Sequence, residues 1–294
     1  MKLALSIKSL NRKHIFEAPW FLLSFFKRYF GSAVEVVDQD EISCSYTILR
    51  FSLLGSVERL ENDGEGGVIL YVPIKKVFRA LIRSVFQISF PQSNTIGLFE
   101  YFVFLIRVCF LEPLEADFAK KGFFLVHGAL LTKSHTDSLM LVAPSKGGKS
   151  TISKVLEEVG YRVVSDNYVF FDGKRVITVP ECRRFGSAKR FSFSFYGKHV
   201  HAAPVEMTLE VKKIMWLSFS NEFDIQRIAS DDLSTMLSRL YFNECEGVFV
   251  DDKCLVERNF EKIKQNLDEI EAFKFYMIRD IAKTRSFLLE CIDD

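Results

Sequence analysis

The run Ala143-Pro144-Ser145-Lys146-Gly147-Gly148-Lys149-Ser150-Thr151 has the residue types and the spacing to hold a polyphosphate. Small residues at Gly147 and Gly148 let the backbone curl until successive N–H groups point inward at one anion. A helix that begins there adds the positive end of its dipole. Lys149 then reaches the β- and γ-phosphates, and the Ser150 hydroxyl is placed to sit on Mg²⁺. The first position of the G-x-x-x-x-G-K-[ST] pattern holds Ala143, a small residue that the broader form of the pattern admits. The competing reading is a helix that merely happens to begin Gly-Lys-Ser.

Context separates the two. Ser138 to Val142 reads as a buried strand, and Ser150 to Val159 carries Ile152, Val155, Leu156 and Val159 at helical spacing, with Gly160 as the stop. Strand, loop and helix then stand in the order that phosphate binding requires.

Further elements surround this centre. Gly122 to Leu131 is an apolar strand interrupted by His127-Gly128, and Tyr161 to Asn167 is a short β-branched run that ends on the carboxylate of Asp166. Tyr168 to Phe171 and Lys174 to Val179 flank Asp172-Gly173, a strong signal for a two-residue hairpin turn, and Pro180 ends the second strand. Val211 to Leu217 is expected as a strand with Phe223 to Ile228 as its partner. Ser230-Asp231-Asp232 caps a helix to Tyr241, and a helix near Glu257 to Glu271, a strand at Phe273 to Ile278 and a helix from Asp280 complete the chain. The whole is expected to be α/β, or α+β overall, with a mixed sheet and flanking helices.

Upstream, residues 1–75 read as a small α+β unit and residues 76–294 as the nucleotide-binding domain. His14 to Phe30 has helical periodicity with Gly31 as stop, and Ile42 to Phe51 and Val68 to Val72 read as strands around the turn-rich Asn62 to Gly67. Two helical stretches follow, Lys75 to Ile88 and Ile96 to Leu111, separated by Pro91-Gln92-Ser93-Asn94.

Composition bounds the function. Thirty-nine basic residues against thirty-eight acidic ones leave a net charge of +1, so no global field argues for nucleic acid or an anionic membrane. Six scattered cysteines, with no C-x-x-C pair and no histidine at metal-ligand spacing, fit a reducing, cytoplasmic setting and argue against zinc. Met1 to Leu10 does not fit a secretory signal, and Gly97 to Leu114 contains Glu100, Arg107 and Glu112, which favours a buried amphipathic helix over a membrane span. Thirty phenylalanines point to a phenylalanine-filled core.

One segment is locally basic. Arg183, Arg184, Lys189, Arg190 and Lys198 lie between Cys182 and His201 without a carboxylate, interleaved with Phe191, Phe193, Phe195 and Tyr196. It could be a solvated loop, a half-buried strand, or a segment whose Arg183 and Arg184 contact substrate or phosphate.

In order along the chain, His127-Gly128, the Ala143–Thr151 loop and Ser165-Asp166-Asn167 resemble the C-terminal catalytic domain of HPr kinase/phosphorylase and its smaller relatives found beside peptide-modification genes. The motifs cover residues 123–180. The resemblance implies a P-loop core of the phosphoenolpyruvate-carboxykinase type and transfer of the γ-phosphoryl of ATP or GTP to a hydroxyl, with Mg²⁺ as cofactor. It implies that Asp166 accepts a proton or helps hold the metal, that Lys149 follows phosphate charge, and that His127 orients Asp166 or touches the transferred group. A serine of a peptide or protein is the implied acceptor; a small hydroxyl compound such as free serine is an alternative, and self-association is left open. The family's second aspartate is Asn167 here, so Asp172 or Glu181 would have to supply a second carboxylate. Two other readings stand beside this one: a nucleotide-binding regulatory or assembly module without transfer, and an unrelated phosphate-loop protein in whose sheet the Asp166 strand does not lie beside the loop strand.

Overall fold

The computed structural model describes residues 2–7, 12–17, 20, 23, 27, 34–37, 45–52, 59–62, 67–77, 111–134, 137–144, 147–166, 168–178, 181–184, 199–203, 207–245 and 253–293. They divide into two compact units, residues 1–114 with 182–204 and residues 115–181 with 205–294.

In the first unit, β1 (Lys2–Ile7), β2 (Arg12–Glu17), β3 (Val34–Val37), β4 (Ser45–Ser52), β5 (Arg59–Asn62) and β6 (Gly67–Pro73) form one sheet in the order β3-β1-β2-β4-β6-β5. The strands expected around residues 42–51 and 68–72 are present, but His14 to Glu17 are extended, not helical. Ile15 pairs with Ala4 across the β1–β2 ladder, and both are buried, so cross-strand burial overrides the helical spacing. Helical geometry follows only after Pro19, at Trp20, Leu23 and Lys27. Of the two expected helical stretches, Lys75 to Val77 are helical. Residues 78–88 and 96–110, and with them most of 97–114, lie outside the described residues, as do Ser145, Lys146, Asn167 and Pro180. Among the described residues no helix is long and apolar enough to cross a membrane.

The second unit is α/β with a mixed sheet. Helix α1 (Glu112–Lys120) leads into β7 (Phe124–Thr132), β8 (Ser138–Val142), α2 (Lys149–Glu158), β9 (Arg162–Ser165), β10 (Tyr168–Phe171) and β11 (Arg175–Thr178). The chain then contributes a two-stranded ladder, β12 (Glu181–Arg184) with β13 (His199–Ala203), which belongs largely to the first unit. It continues as β14 (Thr208–Glu210), β15 (Lys213–Phe219), β16 (Asp224–Arg227), α3 (Ser230–Leu240), α4 (Lys253–Asn266), β17 (Glu271–Met277) and α5 (Ile281–Asp293). The strand order is β14-β11-β10-β7-β8-β15-β17-β16, with β9 also paired to β7.

Strand β7 is long enough to serve two neighbourhoods. Residues 124–127 pair with β10, while residues 128–132 pair with β8 and residues 130–132 with β9. The change of partner falls at His127-Gly128, where a Cβ on Gly128 would come within 2.9 Å of the Leu141 carbonyl oxygen. Only glycine lets β7 and β8 approach so closely without a backbone shift. Aromatic packing fixes the first half: Phe118 of α1 stacks on Phe170 at 4.1 Å, and Phe124 meets Phe260 of α4 at 4.5 Å. Among the described residues, buried phenylalanines Phe118, Phe124, Phe170 and Phe260 gather around this half of β7.

Three local expectations are corrected. The hairpin loop is Gly173-Lys174, not Asp172-Gly173. The Asp172 N–H donates to the Arg175 carbonyl at 3.1 Å, and the Asp172 carboxylate accepts the N–H groups of Lys174 at 3.0 Å and Arg175 at 2.6 Å. This side-chain turn moves the tip by one residue. Strand β16 pairs antiparallel with β17 and does not touch β15, because β15 is flanked by β8 and β17. Ser230 is the first residue of α3 and does not cap it; Ala229 holds the cap position without a side-chain bond, and Asp231 and Asp232 complement the helix dipole.

The hairpin tip is tied down by charge. Lys174 contacts Glu269 at 3.0 Å and Glu210 at 3.3 Å, and Lys212 contacts Glu210 at 2.8 Å. Bonds from Lys212 and Lys174 hold the Glu210 carboxyl below its ordinary value of 4.5, and bonds to Glu269 and Glu210 raise Lys174 above 10.5. The carboxylate's contribution is therefore present above that ordinary value and is lost as pH falls through the folded value. The lysine's contribution is present below its ordinary value and is lost as pH rises through the folded value. In acid titrations followed by circular dichroism, Glu210→Gln should lose less stability than the native protein below about pH 4, and equal losses would remove the cluster from the acid limb. Gly128→Ala should destabilise the second unit by about 1–3 kcal/mol in urea, the usual cost of overpacking, with the first unit unaffected.

Candidate phosphate-binding site

The loop leaves β8 at Val142 and enters α2 at Lys149. Helix α2 forms because Ile152, Val155 and Leu156 fall on one face and are buried, and it ends where the Tyr161 N–H returns to the Leu156 carbonyl at 3.1 Å past Gly160. Its N-cap is Gly148, with φ of +91° and no side-chain cap. The Thr151 and Ile152 N–H groups both bond to the Gly148 carbonyl at 3.0 Å, so the first turn closes without a side-chain cap and its positive end is directed at the loop. The Gly147 N–H closes a turn onto the Pro144 carbonyl at 2.9 Å. Ala143 is fully buried, and a Cβ on Gly147 would meet the Ala143 methyl at 2.6 Å and the Pro144 carbonyl at 2.8 Å, so Gly147 takes no side chain without a shift of the loop.

Lys149 is only 6% exposed. Its ammonium folds back along the loop and donates to the Ala143 carbonyl at 2.7 Å and the Pro144 carbonyl at 3.4 Å. Those bonds offset the cost of burying a charge and hold it at the loop's mouth. Ser150 is exposed and Thr151 half-buried.

The strand directions bring the other candidates to the same end of the sheet. Strands β8 and β9 are both antiparallel to β7, so they run the same way, and β15 and β17 run parallel to β8. Four strands therefore present their carboxyl ends on the side of the loop, the place where open α/β sheets bind ligands. Asp166 follows β9 there. The register pairs Leu130 with Ser165 and His127 with Tyr168, which sets Asp166 level with Ala129 and hence with Leu141 of the loop strand.

Strand β9 is not beside β8, because β7 lies between them. The expectation of an adjacent strand is thus corrected: Asp166 stands two strand spacings from β8, about 10 Å across the sheet. His-Gly forms the intervening strand, and it fills the place because Gly128 permits close approach to β8. His127 and Asp166 are diagonal neighbours on one face, roughly 7–8 Å apart at the backbone. The His127 ring stacks on Tyr168 at 5.2 Å, and the Ser165 hydroxyl donates to the Tyr168 carbonyl at 3.0 Å, pinning the bend that carries Asp166.

Asp172 does not supply a second carboxylate. Besides the two backbone bonds, it accepts from the Arg175 guanidinium at 2.9 and 2.7 Å, and it lies beyond Phe124 at the far end of β7. Arg183 and Arg184 fall on β12.

Sequence reasoning missed a group on the other flank of the loop. A Cβ on Gly148 would lie 2.4 Å from Met277 Cε and 3.7 Å from Phe219 Cζ, and the Arg279 guanidinium stands 5.4 Å from the Phe219 ring centroid. Nothing in their local sequence marks them, since only the parallel β15–β17 register brings them to the loop. Among the described residues no group of three metal-ligating side chains occurs. Mg²⁺ with a nucleotide needs only one or two protein oxygens besides phosphate and water, and the exposed Ser150 hydroxyl in the first turn of α2 fits that demand. Compared with known proteins, the chain matches no family model and no curated sequence.

Gly148→Ala should cost about 1–2 kcal/mol through its left-handed backbone and should weaken tripolyphosphate binding in calorimetry. Adding Met277→Ala should recover only the part due to the flexible methionine tip; full recovery would assign the effect to the clash instead of the backbone.

Proposed function

We propose that this chain binds a nucleoside triphosphate, ATP or GTP, on the Ala143–Thr151 loop and transfers its γ-phosphoryl group to a hydroxyl, most simply of a serine in a peptide or protein. The observation that carries the reading is the loop itself: a helix amino end at Gly148 without a side-chain cap, and the Lys149 ammonium folded back onto the Ala143 carbonyl. The resemblance to the HPr kinase/phosphorylase domain, with its phosphoenolpyruvate-carboxykinase type of core, supports the transfer step and a cytoplasmic setting.

In this reading the loop amides and Lys149 hold the β- and γ-phosphates, and the lysine follows the charge that moves to the leaving oxygen. Asp166 accepts the acceptor hydroxyl's proton as that oxygen bonds to the γ-phosphorus and the bond to the β–γ bridging oxygen breaks, releasing the nucleoside diphosphate. His127, on the same face, orients Asp166. Bound Mg²⁺, held by Ser150 and through water by Asp166, would neutralise phosphate charge.

A second reading, a nucleotide-binding module without transfer, is favoured by the commitment of Asp172 to its hairpin, while the placing of β7 between the Asp166 strand and the loop strand favours an unrelated phosphate-loop protein. One set of variants separates the two. Lys149→Ala should abolish both nucleotide binding and label transfer from γ-labelled nucleotide. Asp166→Asn should preserve the fold and nucleotide affinity while slowing transfer by roughly 10²-fold or more, the scale of general-base loss. Label released by the native protein only as free phosphate, whatever hydroxyl acceptor is offered, would exclude the transferase and leave the module.

A further inference from the structure

Phe219 ends β15 on the loop side of the sheet, and 43% of its surface is exposed. Past it, the Ser220 N–H bonds to the Met277 carbonyl at 2.9 Å, so the ring is carried on paired backbone and not on a loose turn. The ring tip approaches Gly148 at the start of α2, and the Arg279 guanidinium covers the ring at 5.4 Å. An aromatic ring left open to water beside a phosphate cradle, with a guanidinium fixed against it, has the chemistry of a stacking surface.

Its position gives the ring a role. Strands β7 and β9, with Asp166, lie on one flank of β8; β15 and β17, with Phe219 and Arg279, lie on the other. A triphosphate whose γ end faces Asp166 therefore sends its α-phosphate and nucleoside toward Phe219. We infer that Phe219 is the stacking platform for the nucleobase, with Arg279 fixing the ring; this rests on the nucleotide reading of the loop. Every nucleobase offers a π-face to such a ring, so the platform adds affinity for the nucleoside without touching the reacting phosphate.

Calorimetry with Mg-ATP and with Mg-tripolyphosphate, which has the phosphates and no base, tests this on the full chain. The native protein should bind ATP about tenfold or more tightly than tripolyphosphate, the scale of one stacked base. Phe219→Ala and Phe219→Leu should remove that advantage and leave tripolyphosphate affinity unchanged, while Phe219→Trp should keep it. The leucine variant retains apolar packing, so its loss isolates the π-face. Tripolyphosphate binding that depends on Lys149, with ATP no tighter or with the ATP advantage intact in both truncations, overturns the platform alone. Failure of both ligands to bind the native protein overturns the nucleotide reading and the platform with it.

Discussion

A strand can bring its backbone close against a neighbour's carbonyl only where no side chain stands in the way. Gly128 meets that constraint on β7. Its missing Cβ admits the Leu141 carbonyl, and β8 ends at Val142 directly opposite Gly128. The same strand carries β9 and β10 on its other edge, with a register shift between Leu130 and Leu131, and the bend at Asp166 falls level with Leu141, one residue before β8 ends. The strand before the loop and the strand before Asp166 both pair with this one element.

The loop side of the sheet concentrates unfavourable features that the rest of the unit must offset. It buries the Lys149 ammonium, holds Gly148 in a left-handed conformation and leaves the Phe219 ring half open to water. Opposite these stand the aromatic cluster of Phe118, Phe124, Phe170, Phe260 and Tyr241, and the ion pair of Arg285 on α5 with Glu158 at the end of α2, at 2.6 Å. The cluster fixes the helices against β7 away from the loop. The exposed ion pair adds orientation more than stability, since such pairs contribute little in water.

Several elements were legible from local pattern alone. The strand at Ser138 to Val142 and the helix after the loop agree closely with expectation, because the apolar run Leu139 to Val142 and a 3.6-residue period admit few alternatives. Expectation failed where pairing with another strand, or a side chain, competed with local preference. His14 to Glu17 read as helix but pair with β1, Phe223 to Ile228 read as a partner of β15 but pair with β17, and Asp172 captured the hairpin backbone and displaced its tip. In each case the deciding partner is remote in sequence or is a side chain whose geometry periodicity does not encode.

What the sequence determined by itself is the local chemistry of the loop: glycines that free its backbone, a lysine within reach of its carbonyls, a small residue at Ala143 and an amphipathic helix to supply the dipole. Each follows from residue type and spacing within a few turns of chain. Only the tertiary structure decided that β7, not β9, neighbours the loop strand, which sets Asp166 two strand spacings away, and that Phe219 and Arg279 border Gly148 from the other side. Those distances depend on the order in which strands hydrogen-bond. That order is set by burial summed over the whole sheet, and no short stretch of the chain carries it.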